Sequence, residues 1–276
     1  MMDNEKKDQL MIALPDDFSR ELLSGSLRVA ADQENPVRGN LFAAGMRELL
    51  SHSLHTFAPD DDVKEAPWFE LEEGTDKVTR RQRIRYATQR GITDEFMESI
   101  GVDITTLQNA LRDAFQTLNS ATHVRPGRTL SSDGDVRALI DETGTALVGF
   151  LQTYETNIKL LQEELAGNLY QAIMGEFVQR TFDDIDIVAG AGYEVDPLSP
   201  IDEIVIEDIT ATSITVRASG EASVTLHYGR GDDAAEIGHD FPFWMRFSAP
   251  VETPRDLRLV DYEIDNRGWF GDDEPD

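Results

Sequence analysis

Apolar residues recur with two different periods along this 276-residue chain, and the change falls near residue 185. Before it, the spacing is helical. From 37 to 57, Phe42, Met46, Leu49, Leu50, His52, Leu54 and Phe57 mark one helix, which Pro59 ends. Thr79 predicts the N-cap of a helix from Arg80 to Arg90, closed by Gly91. Thr93 caps a short helix through Ile100, stopped by Gly101. Asp103 caps a longer one from Ile104 to about Ser120, with a stripe of Ile104, Leu107, Leu111, Phe115 and Leu118. From about Asp135 to Arg180 the inner face reads Leu139, Leu147, Phe150, Leu151, Ile158, Leu161, Leu165, Leu169, Ile173 and Phe177, and Gly144, Gly149 and Gly167 predict a bend or a break. Residues 1–35 carry no such stripe and read as poorly packed, with Ile12-Ala13-Leu14-Pro15 extended; Pro59–Thr75 reads as a loop.

After residue 185 the period drops to two. Glu203–Ile206, Ser213–Arg217, Ala222–Tyr228, Phe241–Phe247 and Leu257–Tyr262 predict a meander of about five antiparallel strands. Gly220-Glu221 reads as a tight turn, and Gly229–Gly238 as a longer acidic hairpin loop. Phe241, Phe243, Met245 and Phe247 suggest a strand buried on both faces or a domain interface. The expected fold class is α+β, an N-terminal α-helical bundle followed by a small antiparallel β-sheet domain. Its expected divisions are a poorly packed segment 1–35, the bundle 36–182, a linker 183–200, the β domain 201–266 and an acidic tail 267–276.

Charge sharpens this division. The chain has 53 acids against 25 bases, a net of −28, with Asp outnumbering Glu and five lysines against twenty arginines. Acids spread so evenly favour adaptation to high salt over a dedicated acidic surface such as a DNA mimic. Residues 1–180 carry 30 acids and 19 bases, whereas residues 181–276 carry 23 and 6. A polyanion would therefore bind the helical half. There, Lys77–Arg128 holds nine bases (Lys77, Arg80, Arg81, Arg83, Arg85, Arg90, Arg112, Arg125 and Arg128) against five acids. Zero cysteines exclude disulfides, thiolate catalysis and cysteine-ligated metal. No apolar run reaches the ~20 residues of a membrane span, and the polar start Met1–Lys7 lacks a signal-peptide core, so a cytoplasmic protein is expected.

Two constellations carry candidate chemistry. Arg81 and Arg85, spaced i, i+4, could clamp a phosphate, with Arg80 beside them; the alternative is a solvated helix whose arginines pair with carboxylates. Thr122-His123-Val124-Arg125-Pro126-Gly127-Arg128 follows a helix end. His123 there suits general acid–base work, with Arg125 and Arg128 stabilising charge on phosphorus; the alternative is a histidine capping the last carbonyls. His52 and His55 lack a third metal ligand and read as core or boundary residues. The acidic runs Asp60–Asp62, Asp183–Asp186 and Asp232-Asp233 are expected by chance in such a chain, so no metal site is assigned and no cofactor is named. A P-loop, a Gly-x-Gly-x-x-Gly after a strand and a Gly-x-Ser-x-Gly elbow are all missing from the sequence. Asp62-Val63-Lys64 has nuclease-like acid-x-Lys spacing but falls in the expected loop.

Taken in order, Leu49-Leu50 with Leu54, Ala58-Pro59, Ala66-Pro67-Trp68, Val78–Ile84, Leu118-Asn119 with Thr122–Pro126, and Val224–Gly229 with Phe241-Pro242-Phe243 resemble the predicted PIWI-associating nucleases, prokaryotic defence-island proteins. The resemblance covers roughly residues 40–270. It implies a phosphodiester-cleaving function and a PIWI-like or other defence protein as partner. The helical half also resembles HEPN-type bundles, whose ribonucleases carry an Arg, usually followed by a polar residue, then four to six positions, then His. Here Asn119 stands four before His123, and Arg112 eleven before. The expected site is therefore His123 and Arg125 as catalytic residues, with Arg80, Arg81, Arg85, Asn119 and Arg128 binding RNA or DNA. Two other readings stay open, a non-catalytic interaction subunit and a DNA mimic, as does an oligomer.

Overall fold

The computed structural model describes residues 2–125, 127, 129–197 and 199–270, apart from the side chains at 104, 107, 154 and 155. The chain forms two compact units, Met1–Ile158 and Lys159–Asp276. The first is helical: α1 (Asn4–Ala13), α2 (Asp17–Ala31), α3 (Arg38–Phe57), α4 (Asp60–Glu65), α5 (Arg80–Gln89), α6 (Asp94–Ser99), α7 (Ile104–Thr122) and the first part of α8 (Asp133–Gln179). The second holds the rest of α8, then α9 (Asp183–Asp186), strands β1 (Tyr193–Val195), β2 (Ile201–Ile209), β3 (Ser213–Tyr228), β4 (Ala235–Pro250) and β5 (Arg258–Ile264), and α10 (Arg267–Phe270). Helices followed by an open five-stranded antiparallel sheet make the fold α+β.

In the first unit α3 is central. Phe42, Met46, Leu49 and Leu50 are all buried, and so are Leu111, Phe115 and Leu118 on α7. Ile104 and Leu107 of the expected α7 stripe lie outside the described side chains. The caps fall where the sequence puts them: Thr79 and Thr93 each accept a backbone N–H from three residues on, and Asp103 accepts that of Thr106.

Residues 1–35 are a correction, because they pack. Leu10, Leu14 and Leu23 are fully buried. Arg20 ties the end of α1 to α2, its Nε donating to Met11 O at 2.9 Å and its Nη2 to Leu14 O at 3.0 Å. These bonds satisfy carbonyls that a helix C-terminus leaves open. The buried positions of α2 are Ser19, Leu23, Ser26 and Ala30, a helical stripe written mostly in small residues. Two further corrections concern helices. The expected loop after Pro59 contains α4, whose three leading aspartates suit the positive end of a helix. The expected break in α8 does not occur, since a glycine costs a long helix only about 1 kcal/mol.

The sheet has a single buried face. Ile214, Val216, Ala218, Ala222, Val224 and Leu226 of β3 alternate with polar residues, as do Phe241, Phe243, Met245, Phe247 and Ala249 of β4. This replaces the expectation of a strand buried on both sides. Phe177 of α8 meets Phe243 edge-on, with ring centroids 5.5 Å apart. β3 runs straight through Gly220-Glu221, and β3 and β4 pair without interruption from Ser213↔Pro250 to Tyr228↔Ala235. Gly220 is a packing glycine rather than a turn glycine, because a Cβ there would collide with the carbonyl oxygen of Pro200. The strand count of five is reached with β1, which lies inside the stretch read as a linker and pairs with the far half of β3.

Candidate nucleic-acid interface

The site begins with how α5 is held. Thr79 and Gln82 form a reciprocal capping box. Gln82 Nε2 donates to Glu70 O at 2.6 Å, and Asn157 of α8 donates to Thr88 O at 3.0 Å. One side of the helix is thereby fixed inward. Arg83 is buried on that side, donating to Ala58 O at 2.6 Å and pairing with Asp60. Its guanidinium holds the Asp60 carboxyl below the usual range. Arg85 pairs with Asp94 at 2.9 Å and lies 4.2 Å over Trp68. Arg90 donates to Phe57 O, stacks over Tyr86, and has φ of +55°. The left-handed residue that ends α5 is thus Arg90, not Gly91. Trp68 Nε1 helps hold it, donating to Arg90 O at 2.9 Å.

Arg80 and Arg81 point elsewhere. Both are exposed, and among the described residues no carboxylate lies within 4.0 Å of either. They occupy the first two positions of α5, where a positive charge opposes the helix dipole, so helix stability does not account for them. The Arg80 guanidinium sits 4.3 Å over the Phe115 ring of α7. Together with Ile84, Gln108, Asn109, Arg112 and Gln116, these residues line a cleft of about 250 Å³. Among the described residues no carboxylate lines it. Arg112 pairs with its neighbour Asp113, at 3.4 Å on the open surface, a pairing of little energetic weight.

The remaining candidates run along α7. At 100° per residue Asn119 and the Cα of His123 lie within about 20° of Arg112, on one helix face. Arg112 and His123 are separated by roughly 16 Å of helix rise. Asn119 is half-buried, and its carbonyl accepts from Thr122 Oγ1 at 2.8 Å. His123 is the exposed C-cap of α7, and Arg125 is exposed in the loop after it. Neither lines the cleft. Arg128 and Pro126 lie outside the described residues. The structure therefore joins Arg80 and Arg81 with Arg112, turns Arg85 to a separate ion pair, and leaves His123 at the end of α7 and Arg125 in the loop after it.

The loop that carries them is fixed at both ends by the start of α3. Asn40 donates to Ala121 O at 2.7 Å and accepts from Leu130 N at 3.0 Å. Arg38 donates to Ser131 O at 3.0 Å and pairs with Asp133. Gly39 N bonds Leu130 O, and a Cβ at Gly39 would come within 2.6 Å of the Leu130 side chain. Sequence reasoning missed this clamp, since nothing local marks Asn40. It also missed Arg112 as a residue of the cleft, although its spacing from Asn119 and His123 was readable.

Two family models, both described as predicted pPIWI-associating nuclease, match residues 12–144 and 155–270. The chain belongs to the predicted pPIWI-associating nucleases. The first match contains α5, α7, the cleft, the His123 loop and its clamp; the second covers the sheet. Residues 145–154, between the matches, lie within α8. No curated protein and no solved structure matches the chain. In the second unit of this family member, Arg217 and Arg246 of the sheet pair with Glu207, and Arg255, between β4 and β5, pairs with Glu164. His227 lies between Glu194 and Glu236, at 4.0 and 3.5 Å. His52, read as a boundary residue, bonds Asp16 at 2.7 Å, and His55 bonds Ser51 O. Among the described residues no three His, Asp or Glu side chains are grouped to hold a metal ion, and no helix is long and apolar enough to cross a membrane.

Proposed function

We propose that this chain is a cytoplasmic nuclease of a prokaryotic defence system, working beside a PIWI-type protein, and that it grips nucleic acid on the α5–α7 face of its helical unit. One observation carries the reading. In a chain of net charge −28, Arg80, Arg81 and Arg112 converge on a single cleft that, among the described residues, no carboxylate lines. Three guanidiniums held there match the charge and fork geometry of phosphate oxygens. In this reading they hold the strand, and Asn119 follows it along α7. His123 is the acid–base group, and Arg125 and Arg128 stabilise charge on the phosphorus. The rise from Arg112 to His123, roughly 16 Å, corresponds to a few nucleotides of strand.

A second reading has support of its own. No arginine precedes His123 at the HEPN-type spacing, since Arg112 stands eleven before it, and His123 does not line the cleft; in this reading the chain binds without cutting, as an interaction subunit. One experiment separates the two. His123→Ala and an Arg80→Ala/Arg81→Ala/Arg112→Ala triple variant are compared for binding and for cleavage of labelled strands. The nuclease reading expects His123→Ala to bind normally and cut at least ~100-fold more slowly. Equal cutting by His123→Ala removes that residue's role; normal binding by the triple variant removes the cleft's.

A further inference from the structure

The cleft is more than a patch of charge, and its composition narrows what it accepts. The guanidinium carbon of Arg80 lies 4.3 Å from the centroid of the Phe115 ring, which is 1 % exposed. Arg80 itself is exposed and lines the cleft, so its guanidinium is accessible from it. A guanidinium backed by an aromatic ring is a ready stacking surface, and both Arg planes and rings take nucleobases in this way. Around it stand the amides of Gln108, Asn109 and Gln116. No hydrogen bond joins any of them to a described residue. Phosphate alone calls for donors, whereas amides offer donor and acceptor together, which is what the edge of a base presents.

Resting on the nucleic-acid reading above, we propose that the cleft takes an unpaired nucleotide of a single strand. The base stacks on the Arg80 guanidinium, amides meet its edge, and Arg81 and Arg112 hold the flanking phosphates. A duplex cannot satisfy this arrangement, because its bases are stacked on one another and present no free face. RNA and DNA strands share the chemistry, and the stacking surface does not distinguish them.

The test is fluorescence anisotropy with labelled oligonucleotides of about 12 nucleotides, within the usual reach of single-strand binders. The probes are an RNA strand, a DNA strand, each annealed to its complement, and a strand of the same length with abasic sites throughout. Wild type should bind the single strands at least about tenfold more tightly than the duplexes or the abasic strand. Arg80→Lys, which keeps the charge but not the plane, should weaken single-strand binding about tenfold and leave the abasic strand unchanged. Arg80 is exposed at a helix start, so the variant folds. Equal binding of abasic and complete strands, or full single-strand affinity in Arg80→Lys, overturns base stacking while leaving phosphate binding intact. If wild type binds none of the probes, the nucleic-acid reading itself falls. Tighter binding of RNA or of DNA identifies which strand the amides favour.

Discussion

Four arginines stand within six residues of α5, and their surroundings divide them into two kinds. Arg83 is buried against Ala58 O and Asp60, and Arg85 is matched by Asp94 and Trp68. Arg80 and Arg81 face a cleft shared with Arg112, which no carboxylate lines among the described residues. The residues are chemically identical and adjacent; only the tertiary neighbours differ. A basic island in an acidic chain is therefore not one surface. Part of it holds the fold together, and part is left over in a protein with ample acid to neutralise it.

That contrast can be broken most forcefully on its buried side. Arg83→Ala leaves Asp60 and a buried carbonyl without their partner, so we expect a loss of roughly 2–4 kcal/mol in chemical denaturation. Arg81→Ala should stay within about 0.5 kcal/mol of wild type in the same measurement. Similar losses for both would erase the distinction. Next in size is Asn40→Ala, which removes one bond at each end of the His123 loop, to Ala121 O and from Leu130 N, and should cost about 1–3 kcal/mol. Under the nuclease reading it should also slow cleavage while leaving strand affinity near wild type.

The open side is sharpened by salt. Two phosphate contacts on a single strand, at Arg81 and Arg112, predict a slope of log affinity against log salt of about −1.4, which removing either arginine should reduce by about 0.7. Arg83→Lys and Arg85→Ala should not change it. The smallest effect concerns pH, away from both arginine groups. A hydrogen bond from His52, and then the Ser19 amide, hold the Asp16 carboxyl down at about 2, against an ordinary 3.8. A carboxyl whose folded pKa is depressed stabilises fully above its unfolded value, and that contribution fades as pH falls through the folded one. Asp16→Asn should thus be less stable than wild type at neutral pH, with the gap closing between about pH 4 and pH 2. A gap that persisted unchanged at pH 2 would show that the Asp16–His52 bond is not its source.

What could be read in the sequence follows the range of the forces involved. Thr79, Thr93 and Asp103 were legible as caps because a cap is settled within three residues. The α3 stripe was legible because its buried positions are large and apolar. The stripe of α2 was hidden, since Ser19, Ser26 and Ala30 fill most of it, and only the close packing of α2 on α3 reveals them as interior. Gly220 misled for a related reason: it admits Pro200 from a neighbouring strand, and no local pattern announces that. At the candidate site, Arg80 and Arg81 stood out by charge, but Arg85 did so equally. Asp94 on one side and Phe115 on the other separate them, and both are tertiary neighbours. The Asn40 clamp joins residues some 80 to 90 positions apart, beyond any reading of spacing.

The central claim is that the arginines of the α5–α7 cleft bind a polyanion. It is tested most directly by titrating a labelled single strand with wild type and with Arg81→Glu/Arg112→Glu at one salt concentration, with thermal melting followed in parallel. The prediction is an affinity at least about tenfold lower with the melting curve essentially unmoved. Unchanged affinity in a folded double variant would contradict it.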